Sequence, residues 1–178
     1  SFDRKKGIFT NYPKNINNTH NNVLCLHLDS ENLLWFGTWG GGINFYDLNK
    51  KTFGKQPLVN LPDKNSLCNN SVLCINEDKY GMLWIGTFKG LDTYDKKTGI
   101  FRNYTVENGL NNNTIQTLLF DQDGNLWIGT AGGGLNFMDL KTGKSKFFTE
   151  NKGNKGVSSN IGNCLHEDNN GNIWVGTV

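Results

Sequence analysis

The sequence predicts an all-β fold, a β-propeller built from about four copies of a four-stranded antiparallel meander. Three observations carry this prediction. A Trp-φ-Gly-Thr motif recurs at Trp35, Trp84, Trp127 and Trp174, at intervals of 49, 43 and 47 residues. Each period divides into four short apolar runs separated by Gly, Asn and Asp turns. No run keeps a helical period, which excludes the helical arrays of similar repeat length.

The strands follow in order. The first is apolar and ends in an acid: VLCLHLD (23–29), VLCINED (72–78), IQTLLFD (115–121) and NCLHED (163–168). A tight turn such as DQDGN leads to the second strand, which carries Trp-φ-Gly-Thr. A glycine-rich reversal precedes the third strand, INFYD, LDTYD or LNFMD. An Asp-x-x-Thr-Gly turn precedes the fourth, such as GIFRNY (99–104). Blades are placed at roughly 1–13, 23–57, 71–105, 114–149 and 160–178, with the first and last incomplete. A meander this thin cannot bury its own faces, so copies must stack. The indole fills the gap between sheets, and the Gly two residues later admits the neighbouring backbone.

Composition narrows the function classes. The chain has 178 residues, 36% of them apolar, with 22 Gly and a net charge of +2. No basic stripe points to nucleic acid. No apolar run reaches the ~20 residues of a membrane span, so any anchor is expected outside this chain. Cys25, Cys74 and Cys164 share one repeat position. Stacked sheets lie ~10 Å apart, too far for a disulfide between equivalent positions. Cys68 stands in a loop, and its state is left open. His27 and His166 also share a position, read as channel-lining or as without special role. DQDGN lacks the spacing of a calcium loop. No metal or cofactor site is expected, and no nucleophile elbow or phosphate loop appears. The triplets at Asn17 and Asn103 match the glycosylation pattern and are read as turns.

Loops entering strand one and loops joining strands two and three should share one face of a propeller. That face would carry Trp39, Phe88 and Lys89 with Asn22, Asn70, Asn113 and Asn160. Aromatic rings beside amides suit sugars: the ring packs on C–H groups and the amides bond hydroxyls. The asparagines also have a structural reading as turn caps. Trp39 and Phe88 face Ala131 at the same repeat position, so folding does not fix that position, and they are the leading ligand candidates.

Residues 111 to 143, NNNTIQTLLFDQDGNLWIGTAGGGLNFMDLKTG, closely resemble the two-component regulator propeller repeat. Repeat two departs slightly: its reversal is one residue shorter, and Asp92 replaces the Asn of Asn44 and Asn136. The resemblance implies the periplasmic sensor region of a bacterial hybrid histidine kinase, of a type tied to glycan detection. It also implies that the four repeats are an arc of a larger, seven-bladed ring rather than a closed four-bladed one. An arc would meet the remaining blades of its receptor or a second copy of itself. The expected function is a non-catalytic sensor of an oligosaccharide. Two alternatives stay open: a quinoprotein-like enzyme, suggested by the turn at Asp139 to Lys144, and a non-binding scaffold.

Overall fold

A computed structural model describes residues 1–12, 22–54, 58–62, 65–151 and 156–178. The Asn17 triplet, His20 and Asn21 lie outside the described residues. Three complete antiparallel meanders form, each a four-stranded sheet in chain order. Blade 1 holds β3 (Val23–Leu28), β4 (Leu33–Thr38), β5 (Ile43–Asp47) and β6 (Thr52–Phe53). Blade 2 holds β7 (Val72–Glu77), β8 (Leu83–Thr87), β9 (Gly90–Asp95) and β10 (Ile100–Tyr104). Blade 3 holds β11 (Ile115–Phe120), β12 (Leu126–Thr130), β13 (Leu135–Asp139) and β14 (Lys144–Phe148). Two hairpins flank them: β1 (Phe2–Asp3) with β2 (Ile8–Phe9), and β15 (Gly162–Glu167) with β16 (Ile173–Thr177). These hairpins stand as separate two-stranded sheets. The described residues therefore form an open arc, not a four-bladed ring.

The first strands β3, β7, β11 and β15 pack side by side in sequence and make the inner edge of the arc. All four carry a register shift at the same place, between Val23 and Cys25 in blade 1 and at the equivalent residues elsewhere. Such a bulge increases strand twist.

Each pair of blades encloses its own core. Trp35, Ile43, Leu67, Val72, Ile75, Leu83 and Ile85 lie between blades 1 and 2. Trp84, Leu91, Leu110, Ile115, Leu118, Leu126 and Ile128 lie between blades 2 and 3. The glycine of Trp-φ-Gly-Thr is needed for this approach. A Cβ on Gly37 would lie 2.5 Å from Val72 Cγ1, and one on Gly129 would lie 2.6 Å from the Gly162 carbonyl. Both are closer than any real contact, so only glycine lets the next inner strand lie flat.

The tryptophan is covered by the blade that follows it. Trp35 meets Tyr94 of blade 2, with ring centroids 6.3 Å apart, and Trp84 meets Phe120 of blade 3 at 6.0 Å. Trp35 is 2% exposed, whereas Trp174, with no following blade, is 64% exposed. The other end of the arc is bare in a complementary way. Leu26 is 63% exposed, while its counterparts Ile75 and Leu118 are buried.

One hydrogen bond recurs in all four copies. The indole N–H donates to the acid that ends strand one, six residues earlier: Trp35 to Asp29 at 2.8 Å, Trp84 to Asp78 at 3.1 Å, and Trp127 to Asp121 and Trp174 to Asp168 at 2.9 Å. The same carboxylate takes backbone N–H groups of the turn, as Asp29 does from Glu31 and Leu33. One acid thus closes the hairpin and fixes the ring that wedges the blades apart. The cysteines are free thiols. Cys25 Sγ lies 3.9 Å from the Val72 carbonyl of the next blade. His27, two residues on, shares that face and turns into the gap between blades rather than into the channel as expected. Its Nε2 is buried without a partner. Burial pushes the imidazole below its ordinary value, against the nearby Glu77 and Asp29 carboxylates.

Candidate functional site at the arc rim

The rim is built where each glycine-rich reversal meets the loop entering the next blade. The Thr of Trp-φ-Gly-Thr closes the reversal by donating its hydroxyl to a glycine carbonyl: Thr38 to Gly42 at 2.9 Å, Thr87 to Gly90 at 2.8 Å and Thr130 to Gly134 at 3.0 Å. The reversal is then tied to the next blade. Gly42 N–H donates to the Asn70 carbonyl at 2.8 Å, and Gly134 N–H to the Asn160 carbonyl at 2.7 Å. Thr114 Oγ1 donates to the Phe88 carbonyl at 3.2 Å. Residues displayed on this rim therefore stand on backbone held from two sides.

Trp39 follows Thr38 directly and is 53% exposed. Phe88 occupies the same place in blade 2 and is half-buried. The two rings meet edge to face across the blade boundary, with centroids 5.2 Å apart at 74°. Lys89 is exposed beside them, its backbone N–H bonded to Thr87 Oγ1 at 3.2 Å. Trp39, Phe88 and Lys89 thus come together.

The asparagines divide into two groups. Asn70, Asn113 and Asn160 are half-buried, and each side-chain oxygen accepts a loop N–H: Asn60 at 2.5 Å, Val106 at 2.8 Å and Glu150 at 2.6 Å. They hold the long entering loops against the rim. Asn22 is out of register with them. It precedes β3 directly and aligns with Ser71 and Thr114, and its carbonyl accepts the Trp39 N–H at 2.9 Å. The asparagine of blade 1 that aligns with Asn70 is Asn21.

The opposite face of the arc holds a cluster that sequence reasoning did not find. Lys96, in the turn after β9, reaches across to blade 1. Its ammonium lies 2.8 Å from Asp29, 2.8 Å from Glu77 and 3.0 Å from Glu31. The Lys96 side chain is 8% exposed, that of Asp29 0% and that of Glu77 9%. Burial alone would push the Lys96 ammonium down. The carboxylates of Asp29, Glu77 and Glu31 outweigh it and hold the group well above its ordinary value. Burial alone would likewise raise Asp29 and Glu77. Hydrogen bonds from Lys96, with Trp35 and backbone N–H groups on Asp29 and Ser30 on Glu77, hold both below the usual carboxylate range.

The turn that suggested a quinoprotein is occupied with its own backbone. Asp139 accepts the Thr142 hydroxyl at 2.7 Å and the Lys141 N–H at 2.9 Å. Asp95 repeats this pattern with Thr98 and Lys97. Among the described residues no group of His, Cys, Asp and Glu is placed to hold a metal ion. No helix among them is long and apolar enough to cross a membrane.

Comparison with known proteins gives a consistent result. A family model described as two component regulator propeller matches residues 19–40, 66–89, 109–132 and 155–178, more than half of the chain. No curated protein sequence matches. Among solved structures, the extracellular domain of the hybrid two-component system BT3049 from B. thetaiotaomicron is similar at 29% identity and a TM-score of 0.77, over 89% of this chain and 21% of that one. The extracellular domain of BT4673 from the same organism is similar at 28% identity and a TM-score of 0.72, over 89% and 22%. PorZ of Porphyromonas gingivalis, at 15% identity and a TM-score of 0.53 over 94% and 33%, shares the fold alone. The chain thus spans about a fifth of the two extracellular domains it resembles. Four matched repeats, each with its indole bonded to the acid six residues earlier, make this chain a member of the two-component regulator propeller family.

Proposed function

We propose that the chain is part of the ligand-sensing, extracytoplasmic region of a two-component signalling receptor, periplasmic in location, and that its ligand is an oligosaccharide. The observation that carries this reading is the exposed Trp39–Phe88 pair on a rim whose backbone is tied down. An indole left half in water, at a position where blade 3 has Ala131, is not a residue the fold requires there. Paired rings at an edge, with Lys89 beside them, offer C–H stacking surface and a hydrogen-bond donor to a sugar chain. The similarity to extracellular domains of hybrid two-component systems supports a sensor role. Signalling would follow from differential affinity: a ligand that binds one arrangement of the receptor better shifts the population toward it. No catalysis is proposed, since the turn that suggested a quinoprotein is accounted for by its own hydrogen bonds.

The test is calorimetry of the full receptor ectodomain against an oligosaccharide panel, repeated with Trp39→Ala and Phe88→Ala. Binding that weakens at least ~10-fold in both variants supports the reading. Binding unaffected by either variant would move the site elsewhere, and no binding by any sugar would favour a scaffold role.

A further inference from the structure

Between blades 2 and 3, on the face opposite Trp39, a cavity of about 260 Å³ is lined by Asp78, Lys79, Tyr80, Phe120, Leu140 and Lys141, among others. That is just under the ~300 Å³ lower end of ligand pockets and far larger than a water site. The cavity exists because two repeat positions have changed. At the blade 1–2 boundary the same space is filled by Lys96, which bridges Asp29 and Glu77. Leu140 stands at the position of Lys96, and Phe120 at that of Glu77. The anchoring acid is kept: Asp78 is the counterpart of Asp29.

The hydrogen bonds of the two acids define the difference. Asp29 accepts Glu31 N–H, Leu33 N–H and the Trp35 indole, and the Lys96 ammonium as a fourth donor. Asp78 accepts the three equivalent donors, from Tyr80, Met82 and Trp84. A carboxylate has about four lone-pair sites. Asp78 therefore keeps open the site that an ammonium fills next door. The cavity also holds cations of its own. Lys79 passes over the Tyr80 ring, its Nζ 5.2 Å from the centroid, and ends beside Gly124. Neither Lys79 nor Lys141 has an ion-pair partner among the described residues.

We propose that this cavity binds a zwitterion with an apolar body, an apolar α-amino acid in its simplest form. Its ammonium takes the place of the Lys96 ammonium on Asp78. Its carboxylate faces Lys79 and Lys141, and its side chain lies on Phe120 and Leu140. A simple amine would meet two uncompensated lysines, and a simple anion would meet Asp78 and Asp121. Only a ligand with both charges matches both walls. The proposal does not depend on the sugar-sensing reading, which concerns the opposite rim.

Saturation-transfer NMR and calorimetry with L-phenylalanine as probe test it. L-Phenylalanine is expected to bind, and its methyl ester and N-acetyl derivative to bind at least ~10-fold more weakly. Leu140→Lys, which supplies an internal ammonium as blade 2 does, is expected to abolish binding while the melting temperature holds. Should that variant fail to fold, Lys79→Ala with Lys141→Ala, both at exposed positions, is expected to give the ~10-fold loss instead. Absence of binding, or equal binding of phenylalanine and either derivative, would overturn the proposal. So would a folded Leu140→Lys variant that binds as the parent does.

Discussion

Replacing Lys96 with Met keeps an unbranched side chain, one heavy atom shorter, and removes its charge. Two buried carboxylates, Asp29 and Glu77, then lose the cation 2.8 Å away, and exposed Glu31 loses one at 3.0 Å. An exposed pair contributes ~0.5 kcal/mol. Stripping one partner from a buried pair costs ~3–5 kcal/mol. Asp29 keeps its bonds from Glu31, Leu33 and Trp35, and Glu77 keeps its bonds from Ser30, which cushions the loss. A destabilisation of about 3 kcal/mol is therefore expected, read by urea unfolding at neutral pH. The pH dependence sharpens the test. In the parent, Asp29 and Glu77 titrate below the ordinary carboxylate range, so the stability they supply is present above ~pH 4 and lost as pH falls through their lowered values. Lys96 titrates above its ordinary value, so its contribution is lost only as pH rises beyond ~10.4. In Lys96→Met burial dominates and the carboxylates titrate high. The variant's deficit should then shrink as pH falls from neutral toward ~5. His27, which faces the same cluster, titrates low in the parent and would charge more readily beside two unpaired carboxylates, narrowing the deficit further. A loss under ~1 kcal/mol, or a deficit that does not change with pH, would refute the ion cluster as a blade-to-blade brace.

The repeated motif should respond differently by position. Trp35→Ala is expected to cost ~3–5 kcal/mol, and Trp174→Ala, at a site 64% exposed, under ~1 kcal/mol; denaturation midpoints of the two variants check the contrast. Trp39→Ala should change stability by under ~1 kcal/mol by the same measurement, since half of its surface is already in water. Gly37→Ala should destabilise by ~1–3 kcal/mol, because its methyl would lie 2.5 Å from Val72 Cγ1; an unchanged melting temperature would show that the blades separate without cost.

The propeller was legible because its signals are local and repeated. Trp, Gly and Thr at fixed spacing, with Asp-x-x-Thr-Gly turns, name their own strands and reversals. Part of the candidate site is legible on the same ground: Trp39 and Phe88 stand out because Ala131 breaks the pattern. Two things were not. The six-residue step from Asp29 to Trp35, kept from Asp78 to Trp84 and onward, was present in the sequence as a constant spacing, but a turn-forming Asp explains itself without a second role. Lys96 gave no signal, since it lies 67 residues from Asp29 in sequence and reaches it only once two blades have stacked. The cavity at Leu140 was invisible for the same reason, because it is defined by what that lysine does elsewhere. The two readings of the asparagines, as ligand contacts and as turn caps, could not be separated in the sequence, because an amide before a strand looks alike whether it serves a ligand or holds a loop.

Trp35 and Trp84 are each sheltered by the sheet that comes after them, and Trp174, with none after it among the described residues, is bare. The arc therefore has a direction, like a row of overlapping tiles. Loosening of this chain should start at its two bare margins, at Trp174 and at Leu26, and move inward one sheet at a time. Amide exchange would register this as protection that deepens step by step from either margin toward blade 2.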